Sequence, residues 1–273
     1  AIMMRAYSTS DRAAITAAPF RAGVLVCVAD GATLFEHDPD GVFPSASVIK
    51  VPLAMTLFAD AAEGRLDLGE RLAVGPRVDG SGVLRDLRDV ETLTLRDLAA
   101  LTMGLSDNTA TNRLIERVGT ERVATRLAEW GCGVTALRRK MYDTEAQQRG
   151  LENVTSAREM AALLARLVGG ALVDRATSDA VLALMERCED DRMLRRFLAP
   201  NTRVPSKSGT LDASRNDVAI FRGPKRTVLA AAFTSEVKDA LAAEHLLGLI
   251  GRAAAQAAGI AVPPLPFPPA GGG

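Results

Sequence analysis

Lysine is scarce in this chain. Of 33 basic residues in 273, five are lysines (Lys50, Lys140, Lys207, Lys225 and Lys238) and the other 28 are arginines. Histidine is scarcer: His37 sits in a turn-like "EHDPDG" and His245 in a helical stretch, neither beside a serine and an aspartate. A Ser-His-Asp triad is therefore not expected. With no His-x-x-x-His and no Cys/His cluster, no metal or other cofactor is expected. Cys27, Cys132 and Cys188 are odd in number and widely spaced, so they read as small core residues. The net charge is zero, which gives no electrostatic case for nucleic acid or an anionic membrane. No apolar run approaches the ~20 residues of a membrane-spanning helix. The first residues, "AIMMRAYSTSDRAA", lack the cationic start and apolar stretch of a signal peptide. With unpaired cysteines, that favours a cytoplasmic chain starting at Met3 or Met4 over a secreted or periplasmic one whose signal has been removed.

What is present is an ordinary core-forming composition, 48% hydrophobic and 24% charged, enough for one domain or two joined subdomains. "AGVLVCVADGATLFEHD" reads as a β-hairpin around Asp30-Gly31. "RVPSKSGTL", "NDVAIFRG" and "RTVLAAAFTS" form a second strand group near the other end. Between them the spacing is helical: "VPLAMTLFADAAEG", "LRDLAALTMGL", "ATNRLIERVG", "ERVATRLAEWG" and "SAREMAALLARLVGG", the last opening with a Ser156/Glu159 capping box. "DALAAEHLLGLIGRAAAQAAG" is a long final helix, and "VPPLPFPPAGGG" an extended or disordered tail. The expected fold class is α+β. Residues 1–45 and 188–262 build an α/β sandwich on one antiparallel sheet drawn from both chain ends, and 46–187 form an all-helical subdomain. Residues 263–273 are the tail. A cleft at the junction is the default place for a site.

Lysine can lose its proton when desolvated, and arginine cannot. A lysine at the head of an apolar helix, in a chain that prefers arginine, therefore needs a reason. In "FPSASVIKVPLAM", Ser47 stands three residues before Lys50, and one helical turn would put the amine beside the hydroxyl. A neutral amine there can accept the serine proton. The spacing alone is cheap: Ser235 and Lys238 repeat it in polar "TSEVKD", which reads as a capped helix start. Two further stretches carry the case. "LSDNTATN" places Ser106, Asp107 and Asn108 side by side between helical segments, able to pass a proton, brace a loop and hold a substrate amide. "VPSKSGTL" places Lys207, Ser208, Gly209 and Thr210 on a strand, offering positive charge, hydroxyls for a carboxylate, and a glycine against which a substrate backbone can lie.

In order and spacing these three motifs resemble the active-site signature of class A serine β-lactamases and penicillin-binding proteins. Ser106 follows Ser47 by 59 residues and Lys207 follows Ser106 by 101, close to the class A intervals. The resemblance covers roughly residues 15 to 260. It implies that Ser47 attacks an amide or ester carbonyl to form an acyl-enzyme, with Lys50 as base. The backbone N–H groups of Ser47 and Thr210 would form the oxyanion hole. Ser106 would pass a proton to the leaving group, held by Lys207. Asn108 would bond the substrate amide and Lys50, and Asp107 would be structural. Lys207, Ser208, Gly209 and Thr210 would line the substrate-carboxylate site, with Arg215 on the next strand a further carboxylate candidate.

One part of the signature is missing. Class A enzymes carry Glu-x-x-Leu-Asn, whose glutamate activates the deacylating water. The corresponding region here is "LRRKMYDTEAQQRGLENVTSAREM". An ungapped count puts Lys140 at the glutamate position; a short gap would bring in Asp143 or Glu145. Asn153 stands where a loop-bracing aspartate is common, which would leave Arg138 without its partner. Three outcomes remain: hydrolysis of a β-lactam, which leads; an esterase, D-peptidase or acyl transferase; or a penicillin-binding module that is acylated without efficient turnover. The expected partner is a small-molecule amide or ester bearing a carboxylate, met by a monomer with no nucleic-acid or membrane role.

Overall fold

The computed structural model describes residues 8–265. The expected start at Met3 or Met4 and the last part of the tail, 266–273, lie outside that range. An antiparallel sheet of five strands, in the order β2-β1-β9-β8-β7, forms the backbone of the fold. Its strands are β1 (Arg21–Val28), β2 (Thr33–His37), β7 (Ser206–Leu211), β8 (Ser214–Arg222) and β9 (Thr227–Ser235). Both chain ends contribute, as expected. The β1–β2 hairpin turns at Asp30-Gly31, where Gly31 has φ 101°, a conformation that costs glycine nothing.

The sheet is covered on both faces, which is why its strands read as continuous apolar runs. Val24, Val26, Ala219, Phe221, Val228, Ala230 and Ala232 pack with the terminal helices α1 (Thr9–Thr16) and α9 (Ala240–Ala258). Their alternates Leu25, Cys27, Val218, Ile220, Leu229, Ala231 and Phe233 face the central helices. There α2 (Lys50–Ala62) is buried from Lys50 through Asp60. Around it stand α3 (Leu95–Gly104), α4 (Asn108–Val118), α5 (Thr120–Glu129), α7 (Ala157–Val168) and α8 (Arg175–Met185). No described helix is long and apolar enough to cross a membrane. The three cysteines are free and buried; burial raises the Cys27 thiol and pushes Cys132 up to about 12.

Several elements depart from the sequence expectation. Helix α8, the one-turn α6 (Thr144–Gln148), and the short pairs β3 (Phe43–Pro44) with β6 (Val154–Thr155) and β4 (Arg71–Ala73) with β5 (Thr92–Thr94) were not expected. Only half of the α7 capping box forms. Ser156 Oγ accepts from Glu159 N at 3.2 Å. The Glu159 carboxylate instead clamps a loop, accepting from the backbone N–H groups of Gly133, Val134 and Thr135 at 2.7–2.8 Å. A complete box opens α1, between Ser8 and Asp11.

At the far end of α2, buried Asp60 accepts from Arg122 and Arg126, each at 2.7 Å. Burial opposes its charge, yet the two guanidiniums outweigh it and hold the carboxyl below its usual range. A depressed carboxylate stabilises above its unfolded pKa and loses that contribution as pH falls through the folded value. Asp60→Ala is expected to cost about 1.5–3 kcal/mol in urea unfolding at neutral pH, because two arginines lose a buried charged acceptor while Glu63 and Glu129 still hold Arg126. The gap between variant and wild type should narrow below about pH 4.

Candidate active site

Three segments distant in sequence converge on a cavity of about 670 Å³. Ser47 lies on a 3-10 turn, Ala46–Ile49, that runs directly into α2, so Lys50 is that helix's first residue. Ser106 and Asn108 come from the α3–α4 junction, and Lys207 to Thr210 from β7, the edge strand. Backbone strain concentrates here. Of five described non-glycine residues with positive φ, three line the cavity: Ala46 (48°), Ser106 (54°) and Tyr142 (62°).

Lys50 is completely buried. Its Nζ lies 2.8 Å from Ser106 O, 2.9 Å from Ser106 Oγ and 3.0 Å from Asn108 Oδ1. Burial first, and the nearby Lys207 charge second, push its amine well below the usual lysine range. Lys207 is equally buried, and burial lowers its amine as well. Lys207 Nζ donates to Ser208 O at 2.7 Å and reaches Ser106 Oγ at 3.1 Å. The Ser106 hydroxyl thus sits between two lysine amines. Ser47 lines the cavity and is partly exposed; among the described residues its Oγ has no hydrogen bond, so the expected direct contact with Lys50 is not formed. The amine is held instead by the three acceptors at Ser106 and Asn108.

Asp107 is structural, as expected. One carboxylate oxygen accepts from Val83 N and Leu84 N at 2.7 and 2.9 Å, and the other caps α4 through Ala110 N. Gly82 packs against it so closely that a Cβ would come within 2.2 Å of Asp107 Oδ2. Asn108 Nδ2 donates to Asp79 O at 2.9 Å, which ties the same loop to the cavity wall.

Gly209 also has a use in the packing of the fold. A Cβ there would lie 2.8 Å from Ser47 N, 2.9 Å from Ala46 Cβ and 3.0 Å from Ser45 O. The bare backbone is therefore required for β7 to pack on the turn carrying Ser47, whatever the substrate does. Arg215 is corrected. Strand alternation puts it on the α9 face, with Ala219 and Phe221. There its guanidinium bonds Glu244 Oε1 at 3.2 Å and the carbonyls of Leu211 and Ser214, and it does not line the cavity. Asp217, opposite Ser208 on β8, is wholly enclosed, and burial raises its carboxyl to about 7.

Neither candidate water-activating carboxylate faces the site. Asp143 caps α6, accepting from Ala146 N at 2.9 Å. Glu145 is 83% exposed and pairs with Arg149. Lys140 turns outward to Glu116. Asn153 does brace the loop, by backbone rather than guanidinium: its Oδ1 accepts from Arg138 N and Arg139 N, and its Nδ2 donates to Arg139 O. Arg138 itself is exposed, while Arg139 pairs with Glu152 at 2.8 Å. Glu145→Gln and Asp143→Asn are accordingly expected to leave the lifetime of any acyl-enzyme unchanged in a chase experiment, with Asp143→Asn costing at most about 1 kcal/mol of cap energy.

Sequence reasoning missed several residues at the site. Asn112, one turn after Asn108, clasps Met141 through both its N–H and its C=O, at 2.8 and 3.0 Å. Glu152 lines the cavity, but its Oε1 already accepts from Arg139 and from Asn153 N. Ser208 Oγ donates to Asp190 Oδ2 at 2.8 Å, and Arg192 grips the same carboxylate with two bonds of 2.9 and 3.0 Å. The asparagine was legible as the end of an Asn-x-x-x-Asn spacing on one helix face; nothing in the sequence aimed "CEDDR" at the cavity. His37 and His245 do not line it, and His245 packs edge-on against Phe197. At the second Ser-x-x-Lys, Lys238 is exposed and Asp239 caps α9 in place of Ser235.

The fold and the convergence of these three motifs define a serine β-lactamase-like hydrolase. The sequence model of the Beta-lactamase enzyme family matches residues 9–258, and the chain belongs to that family. Among curated relatives, it is 24% identical over 202 residues to β-lactamase BRO-1 of Moraxella catarrhalis, covering 72% of this chain and 64% of that protein. It is 29% identical over 109 residues to the β-lactamase regulatory protein BlaB of Streptomyces cacaoi, covering 39% of this chain and 35% of that one. The chain thus spans less than two thirds of either relative. Solved structures align more completely. A β-lactamase from Sphaerobacter thermophilus superposes with a TM-score of 0.83 at 34% identity, over 91% of this chain and 96% of that one. PBP-A superposes at 0.82 with 26% identity, over 91% and 94%. A PBP-A point mutant has been solved as an acyl-enzyme complex with penicillin G.

Proposed function

We propose that the protein transfers an acyl group to Ser47 from an amide or ester carbonyl, a β-lactam among them, and releases it slowly to water. The observation that carries this reading is the buried Lys50–Ser106–Lys207 array. Two enclosed amines cannot both stay charged cheaply beside one hydroxyl, and Lys50 is the more strongly discharged of the two by its surroundings. A neutral Lys50 has two N–H bonds and one lone pair, so one of its three contacts must run inward, with Ser106 O–H donating to Nζ. That orientation leaves Lys207 to donate to Ser106 Oγ. When a substrate carbonyl seats the Ser47 hydroxyl, that hydroxyl replaces the Ser106 O–H at the Lys50 lone pair. Lys50 takes the Ser47 proton as Oγ bonds the carbonyl carbon, and returns a proton through its N–H to Ser106 Oγ. Ser106 passes its own hydroxyl proton to the leaving atom as that bond breaks. In this reading Ser106 delivers the proton to the leaving group, Asn108 holds the substrate amide, and Ser47 N and Thr210 N receive the oxyanion. The cleft falls between residues 46–187 and the sheet-bearing ends, 1–45 and 188–262.

Slow release follows from the loop. The carboxylate of Glu152 is engaged by Arg139 and Asn153, and Asp143 and Glu145 face elsewhere. No described carboxylate on 138–153 is left free to activate water. The test combines a chromogenic cephalosporin with intact-mass spectrometry. A burst equal to the enzyme concentration, a persistent adduct and a slow steady state are expected. Steady turnover with no adduct would show efficient deacylation. Absence of both burst and adduct, with esters and peptides also uncut, would overturn the reading.

A further inference from the structure

Two of the groups that should greet a substrate carboxylate, Ser208 and Arg215, are already bound to carboxylates of the protein itself. Ser208 Oγ donates to Asp190 Oδ2 at 2.8 Å. The fork of Arg192, one of the cations lining the cavity, is spent on the two oxygens of Asp190. Arg215 is bound to Glu244 on the far face of the sheet. Lys207 divides its bonds between Ser106 Oγ and Ser208 O. Burial opposes the charge on Asp190, but Arg192 and Ser208 outweigh it and hold the carboxyl at about 2, so it is an anion at every working pH. Glu189 and Asp191, both exposed, line the cavity on either side of it.

We propose that Asp190 is a built-in carboxylate on the subsite formed by Ser208, and that it selects substrates uncharged or cationic at that position over those carrying a carboxylate. The proposal rests on the reading of Ser47 as the acylated residue and narrows its substrate class. An incoming carboxylate must either displace Asp190 from both Ser208 and Arg192 or lie beside it, and like charges in contact across an interface cost several kcal/mol. A neutral amide at the same place can donate to Asp190 and accept from Thr210, so it loses nothing. Selection here works by repulsion. β-Lactams with a carboxylate next to the ring would then acylate Ser47 more slowly than neutral esters of matching shape.

The test uses two aryl esters of phenylacetylglycine that differ only in charge, with leaving groups 3-hydroxybenzoate and 3-hydroxybenzamide. Wild-type kcat/KM is expected to favour the benzamide ester by about tenfold or more after correction for the esters' own hydrolysis rates. Asp190→Asn should shift the ratio at least about tenfold toward the benzoate ester, and Arg192→Gln, which bares the Asp190 charge, should shift it the other way. A ratio unmoved by both substitutions, or a wild-type preference for the benzoate, would overturn the proposal. If Ser47 proves not to be acylated, the same comparison is read as calorimetric affinity of the two esters for the Ser47→Ala protein. The same reversal is expected there, so the charge selection stands or falls apart from the chemistry.

Discussion

Lys50→Arg is expected to fold and to acylate Ser47 at least about 10³-fold more slowly than wild type, the scale of losing a positioned general base. With Ser47→Ala as the zero reference, no adduct should appear in that variant on any time scale. The arginine is informative because it keeps the positive charge and several donors while remaining protonated throughout the accessible pH range. If Lys50 acted only by its charge, arginine would keep much of the rate. If it acts by lending a lone pair, arginine fails as completely as Lys50→Met does. Retention of more than about a tenth of the wild-type acylation rate by the arginine variant would therefore refute a neutral-amine mechanism.

The same residue ties chemistry to stability with a definite sign. Burial lowers the folded-state amine of Lys50 well below that of the unfolded chain. Between those two values the unfolded state binds more protons, so stability rises with pH across that window and falls as pH drops toward the folded value. Lys50→Met removes this term. The stability of Lys50→Met relative to wild type in urea unfolding should fall from neutral pH to about pH 10. Acylation by the wild type should rise with pH over the range in which the amine sheds its proton. The rate should level off above the folded value while the stability difference goes on changing; a rate that keeps rising across the whole window up to the unfolded value would count against Lys50 as the base.

The sequence was most legible where burial imposes a regular period. The sheet, α2 and the long α9 show unbroken apolar patterns, and the structure forms them all. Helix α8 was hidden because its inward side includes Thr177 and Ser178, the latter bonded to Leu172 N and Asp174 O, so polar residues interrupt the stripe. Two-residue ladders such as β3–β6 have no period to find. At the site, motif residues on regular elements converged as expected, because helix and strand fix which way a side chain points. Around α6 the backbone is irregular, and counting positions along it could not say that Glu145 faces solvent. Arg215 was readable in principle: it shares strand parity with the α9-facing Ala219 and Phe221, and that alternation outweighed nearness in sequence to Thr210.

Gly209→Ala tests how the site is held rather than what reacts in it. The added methyl would meet Ser47 N at 2.8 Å and Ser45 O at 3.0 Å, both backbone atoms, and Ala46 Cβ at 2.9 Å. None of these is the flexible end of a side chain, so β7 or the turn must move. Ala46 is already in a left-handed conformation with φ 48°, which leaves that turn little room to yield. The two backbone donors proposed for the oxyanion belong to the pieces being wedged apart, Ser47 on the turn and Thr210 on β7. Acylation is expected to fall on the order of 10²-fold, as for a sub-ångström loss of oxyanion geometry. The crowding should also cost about 1–3 kcal/mol of stability. Gly133→Ala is the control: a Cβ there has no neighbour within 4 Å, and its φ is open to alanine, so both quantities should stay at wild-type values. Stopped-flow acylation with a chromogenic lactam and thermal unfolding read the two effects separately. A Gly209→Ala protein that acylates at the wild-type rate would mean that β7 does not set the position of the Ser47 amide, and the oxyanion site would have to be sought elsewhere in the cavity.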